Sequence, residues 1–197
     1  MSLVLASRPL DAASCERWTR VPRSSPLCGP PDATIDHYEA SAKIARGNTP
    51  AAVFARLRGR LLAYDVFPPG IVRAAICPEG RIAAGATIVQ RIGFGPLALE
   101  AAVRVIAVWD RVAGDAEGEP GAVRMVGFRY VTLQGHPECG VASFEARVGS
   151  TGDVTIVLGA RSRPGTWLTR LGRPFARRIQ RAVTRAALRR LVDVSRR

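Results

Sequence analysis

His136 and Glu138 flank Pro137. A histidine so close to a carboxylate could serve as an acid–base pair at a cavity mouth, because imidazole titrates near neutrality. The same residues, entered through Gly135, could instead be turn chemistry. Glycine supplies unusual backbone angles, proline fixes one, and polar side chains bond nearby amides. No nucleophile is matched to the pair. Upstream, Phe128, Tyr130 and Thr132 alternate along a strand pattern and therefore share a face. They could line a pocket in which two hydroxyls orient a ligand, or form a core face with the hydroxyls satisfied internally. Trp109 and Trp167 are further candidates for a pocket wall, although tryptophan more often serves packing.

A second chemistry is electrostatic. The chain carries 29 basic residues against 16 acidic ones, a net charge of +13, and all but Lys43 of the basic residues are arginine. Ten arginines and a single acid, Asp193, lie beyond residue 164. Arg173, Arg177, Arg181, Arg185 and Arg189 recur every fourth position. Such a row attracts nucleic acid, acidic lipid or an acidic protein. It could equally be a solvated face whose stems cover neighbouring apolar surface.

Other chemistries find no support. Cys15, Cys28, Cys77 and Cys139 form no C-x-x-C pair and stand apart from His37 and His136, so no metal motif is present. The cysteines are expected as free thiols in a reduced cytoplasm. No glycine-rich stretch stands between a strand and a helix N-terminus, so no phosphate loop and no cofactor are expected. No run of 18 apolar residues predicts a membrane span, and Arg8, Pro9 and Asp11 interrupt any signal-peptide core.

These residues need elements to hold them. Residues 1–33 read as an irregular N-terminal arm, gripping through Leu3, Val4, Leu5 and Trp18. Residues 34–194 read as one domain, and 195–197 as a basic tail. Alternation from Ile35 to Ala45 predicts a strand, and Thr49-Pro50 opens a helix that runs to about Tyr64. Ile71–Ile76 is a short strand. From Ala86 the period is two: Thr87–Ile92, the Gly93–Pro96 turn, then Leu97–Asp110, with Leu99, Ala101, Val103, Val105, Ala107 and Trp109 on one face. After an acidic loop over 113–121 come Ala122–Leu133, Val141–Val148 and Val154–Ser162. Gly172 and Pro174 predict a kink before the closing helix, which reaches about Val194. There Leu171, Phe175, Ile179, Val183, Ala187 and Leu191 form an apolar stripe opposite the arginines, so Phe175, Ile179 and Val183 should face the sheet.

Successive strands with short turns pair antiparallel, and sheet and helix must bury their apolar faces together. The expected class is α+β. The architecture is a helix-grip: a curved seven-stranded antiparallel sheet wrapped on a long C-terminal helix. Such a sheet and a straight helix touch along only part of their length. Small residues at Ala101, Ala107, Ala160 and Ala187 would leave an apolar void there.

The stretch Gly127-Phe128-Arg129-Tyr130-Val131-Thr132-Leu133-Gln134-Gly135-His136-Pro137-Glu138-Cys139-Gly140 resembles the DUF nineteen-ninety family of bacterial and plant proteins. Ser162-Arg163-Pro164 and Gly93-Phe94-Gly95-Pro96 match the same family, and the resemblance runs from about Ile35 to Val192. That family is similar to the START-like, polyketide-cyclase-like helix-grip superfamily, which implies the same architecture. The chain departs from the family at Val141-Ala142, where an acidic pair is usual, and at Tyr64, where a tryptophan is often found. The resemblance implies no established activity, so no catalytic residue transfers.

Three functions follow. The first is binding of a small hydrophobic molecule between the sheet and the C-terminal helix. The second is a cavity enzyme using His136 and Glu138. The third is attachment to nucleic acid or an acidic partner through the arginine face.

Overall fold

The computed structural model describes residues 2–5, 10–24, 33–42, 47–77, 80–113, 123–165 and 173–195. The elements are β1 (Ser2–Leu5), α1 (Ala12–Thr19), β2 (Thr34–Ala42), α2 (Pro50–Leu62), β3 (Val72–Cys77), β4 (Thr87–Phe94), β5 (Leu97–Ala113), β6 (Val123–Thr132), β7 (Glu138–Gly149), β8 (Val154–Pro164) and α3 (Arg173–Ser195). Both predicted helix signals act as written. Thr49 caps α2 by accepting from the Ala52 amide at 3.2 Å, with Pro50 in its first turn. Val53, Phe54, Leu57 and Leu61 form its buried face.

The strands pair antiparallel in the order β2-β8-β7-β6-β5-β4-β3. Helices α2 and α3 lie on one face of this sheet. Leu57 and Leu61 of α2 and Ala187 and Leu191 of α3 are buried there with Phe128, Phe144, Ala146 and Ile156. This is the α+β helix-grip arrangement read from the strand and helix patterns. Among the described residues no helix is long and apolar enough to cross a membrane.

Three expectations need correction. The arm over 1–33, expected to be irregular, contains a strand and a helix. β1 pairs with β5 (Leu3↔Leu99) along the edge that β6 vacates after Thr132↔Val103, and so adds an eighth strand. α1, capped by Asp11 at 2.9 Å from the Ser14 amide, packs on the opposite sheet face. It builds a second small core of Trp18, Cys77, Val89, Ala102 and Leu133. Eight helical residues hemmed by proline and arginine give too short a period to stand out in the sequence.

The second correction concerns the thiols. Cys15 and Cys77 form a disulfide, with Cα atoms 5.7 Å apart across 62 residues of sequence. Nothing in their spacing announces this, because the contact depends on where α1 lands. Cys139 is free and buried, and Cys28 lies outside the described residues.

The third is the face assignment along β5. The pairing register shifts between Val105 and Ala107. The extra residue inverts the alternation that follows it. Leu99, Ala101, Val103 and Val105 face the helices, whereas Ala107 and Trp109 face the other way. The expected kink near Gly172, Leu171 and the 114–121 part of the acidic loop lie outside the described residues.

Candidate functional site

A cavity of about 560 Å³ lies between the helix-bearing face of the sheet and α3. Its walls are almost wholly apolar: Phe67, Ile92, Leu99, Phe144 and Leu158, with Ile179 and Val183 from α3. Leu3 of β1 also lines it. The room comes from the β7–β8 pair, where Ala142 faces Ala160 and Gly140 faces Ser162 across the ladder. Small side chains there keep α3 from being met by bulk. Of the four alanines singled out from sequence, Ala160 lines the cavity, Ala101 and Ala187 are packed in the core, and Ala107 is turned away.

Tyr130, Thr132, His136 and Glu138 are brought together on the cavity wall. Phe128 is not part of it: it is fully buried, its ring 5.1 Å from that of Phe144. Trp109 lies on the far face over Gly127 and donates its indole N–H to Glu145 at 2.8 Å. Trp167 lies outside the described residues, as do the side chains of Phe175, Arg173 and Arg177.

The turn that carries His136 is built by backbone. Gly135 adopts φ 82°, a left-handed conformation that suits glycine. His136 Nδ1 lies 2.9 Å from the Glu138 carbonyl oxygen and 3.0 Å from the Glu138 amide nitrogen, so the ring is held by the main chain two residues on. Burial pushes the imidazole down to about 4, which keeps it neutral near pH 7. His136 therefore meets the main chain of Glu138, as a turn residue does, while lining the cavity. The Thr132 hydroxyl is also engaged. It accepts from the Gly140 amide at 2.9 Å and meets the Ser24 hydroxyl.

The two sequence motifs meet at this corner. Glu138 pairs with Pro164 and Gly140 with Ser162, and the Gly165 amide donates to the Pro137 carbonyl at 2.7 Å. A Cβ on Gly140 would lie 2.6 Å from Ser162 Cα, and one on Gly165 would lie 2.6 Å from the His136 carbonyl oxygen. Both glycines are required by close approach. Ser162 also accepts from Gln180 Nε2 at 3.2 Å, tying α3 to the corner.

Sequence reasoning missed the polar group at the other end of the cavity. Gln90 on β4 lines it beside Tyr130, and its amide donates to the Tyr64 hydroxyl. Tyr64 follows α2 with φ 56°, a left-handed conformation rare outside glycine. Burial raises both phenols, Tyr64 well above its ordinary value and Tyr130 to about 12. A glutamine between Ile88 and Ile92 on one strand face was the available signal.

On α3, Arg181, Arg185 and Arg189 are exposed, and none makes an ion pair among the described residues. Arg190 instead reaches Asp65 at 2.6 Å. No group of three metal-ligating side chains occurs among the described residues.

A family model described as domain of unknown function (DUF1990) matches residues 23–190. No curated protein matches the chain. Solved structures similar to it include norcoclaurine synthase from Thalictrum flavum (12% identity, 100% of this chain and 96% of that one, TM-score 0.47). Another is major latex-like protein 151 from Panax ginseng (10% identity, 81% and 96%, TM-score 0.42). A third is the di-domain ARO/CYC StfQ from the steffimycin biosynthetic pathway (10% identity, 82% and 50%, TM-score 0.48). Likenesses this distant carry no argument about the chemistry of the site.

Proposed function

The chain belongs to the DUF1990 family, and from its cavity we propose that it is a binding module for a small apolar molecule. The observation that carries this reading is the void of about 560 Å³ with apolar walls and a few polar groups, the usual composition of a small-molecule site. Burying apolar ligand surface against Ile179, Val183, Leu158 and Phe144 supplies the driving force, about 25 cal/mol per Å². The lining polar groups then set orientation. Native mass spectrometry and a thermal-shift screen of apolar compounds test it. A true ligand at a hundredfold excess over its dissociation constant should stabilise the fold by about 2.7 kcal/mol. Ala160→Phe should abolish that stabilisation by filling the space. A screen in which wild type and Ala160→Phe respond alike would defeat the reading.

A second reading has its own observation: the exposed Arg181, Arg185 and Arg189, without carboxylate partners among the described residues. This face supports weak, sequence-blind attachment to polyanions. Arg181→Ser/Arg185→Ser/Arg189→Ser should weaken such binding for all nucleic-acid sequences. Its salt dependence should flatten by about one unit of slope for each phosphate no longer neutralised. Salt-insensitive binding would end it.

A further inference from the structure

We infer that the mouth of the cavity docks on an anionic lipid bilayer, Leu3, Leu5 and Leu97 entering the interface while the arginines of α3 meet the headgroups. The docking stands on the surface alone. That the cavity then takes its apolar molecule directly from the bilayer rests on the cavity reading.

Three leucines at one corner of the sheet are left open to solvent: Leu3 is 66% exposed, Leu5 62% and Leu97 38%. They form one patch. In the β1–β5 ladder Leu5 stands opposite Leu97, and Leu3 opposite Leu99. Opposed residues, and residues two apart on a strand, point to the same face. Leu3 and Leu99 line the cavity, so Leu5 and Leu97 continue that wall outward by one rung. The apolar lining therefore runs out onto the surface. α3 leaves this corner open because it packs over β2 and β8, with β7 and β6 between them and β5.

An exposed apolar patch continuous with a cavity marks an interaction site, and charge selects the occupant. Arg178, Arg181, Arg185 and Arg189 are exposed along the helix that walls the cavity, without ion pairs among the described residues. From Gly165 to Val192 the sequence holds no acid. Glu100, the acid nearest the leucines along β5, is buried and bonded to Arg91. Leucines at a lip beside arginines without acids suit an anionic membrane. The apolar side chains enter the boundary between headgroups and acyl chains, and the negative surface potential draws in the cations. A second copy of the chain fits less well. Each copy brings a net charge of +13, and three leucines fall well short of the ~800 Å² that each partner buries in a stable interface. Nucleic acid would engage the arginines but gains nothing from the leucines. A bilayer also accounts for delivery: an apolar molecule held among acyl chains reaches the cavity along the Leu5–Leu3 wall without crossing water.

Co-flotation with vesicles of equimolar phosphatidylcholine and phosphatidylglycerol, and with vesicles of phosphatidylcholine alone, tests the docking. Wild type should float with the anionic vesicles and far less with the neutral ones. Leu5→Ser/Leu97→Ser should weaken binding about tenfold. Both leucines are exposed and neither lines the cavity, so fold and interior are preserved. Arg178→Ser/Arg181→Ser/Arg185→Ser should weaken binding about tenfold or more on anionic vesicles only, a difference that added salt erases. Loading is read separately, as N-phenyl-1-naphthylamine leaves anionic vesicles carrying an energy-transfer acceptor lipid and enters the protein. Its rate should rise in proportion to vesicle concentration in wild type and fall in Leu5→Ser/Leu97→Ser. Fluorophore affinity without vesicles should be equal in the two. Wild type that does not float, or a leucine variant that floats and loads as wild type does, would overturn the docking. Self-association of wild type that the leucine variant loses would overturn it in favour of a second copy. Flotation as expected with no fluorophore uptake, in vesicles or in solution, would overturn the cavity reading and leave the docking standing.

Discussion

Replacing Glu100 with glutamine is expected to destabilise the fold by about 3–5 kcal/mol, read as a lower urea midpoint at unchanged slope. Glu100 is fully buried beneath α1. Its carboxylate accepts from Arg91 Nε at 2.9 Å and Nη2 at 2.6 Å, from Trp18 Nε1 at 3.0 Å, and from Arg17. Glutamine keeps the shape and removes the charge against which the Arg91 guanidinium is buried. Because a whole buried pair can be exchanged for apolar residues at little cost, Arg91→Met/Glu100→Leu should recover most of the loss. A double variant as unstable as Glu100→Gln would assign the effect to packing. The same group makes the fold acid-sensitive. Burial alone would raise the Glu100 carboxyl, but the Trp18 indole and the Arg91 guanidinium outweigh it and hold it below 4.5. A lowered folded value contributes stability that is present above the unfolded value and is lost as pH falls through the folded one. Wild type should therefore lose stability more steeply than Glu100→Gln below about pH 4.5.

Opening the Cys15–Cys77 link should cost about 4 kcal/mol, from the entropy of a closed loop spanning 62 residues. Reductant on wild type and the Cys15→Ser/Cys77→Ala variant should give matching urea midpoints. A wild-type midpoint unmoved by reductant would show that the cross-link contributes no stability. Without it, α1 is held by Trp18 in the outer core and by the Arg17 and Trp18 bonds to Glu100. The cavity lies on the other face of the sheet, so displacement of an apolar fluorophore should be nearly the same in both redox states. The two layers are expected to separate in this way because only the sheet is common to them.

The helix-bearing half of the molecule is legible in its sequence because its signals are long and locally complete. β5, β6, β7 and β8 are each ten or more residues long, and α2 announces its start with Thr49 and Pro50. The outer layer is not legible, because its stability comes from partners far away in the chain. Trp18 bonds Glu100, Cys15 bonds Cys77, and β1 fits only the edge that β6 leaves open. A single inserted residue near Val105 was enough to send Trp109 to the wrong face in a reading based on alternation. At the site, Tyr130 and His136 stood out by residue type. Gln90 and Tyr64 act through a contact between β4 and the end of α2, which no local pattern encodes.

The bulge after Val105 has an optical consequence. It puts Trp109 on the same side of the sheet as Trp18, while Tyr38 and Tyr130 line the cavity and Tyr64 sits behind Gln90. The described indoles and phenols are thus sorted onto opposite sides of one sheet. The two described indoles, Trp18 and Trp109, sample the layer under α1 and the Trp109–Glu145 contact. Tyrosine absorbance and ring vibrations sample the chamber beneath α3. Among the described residues, two intrinsic chromophore sets see different halves of the same fold.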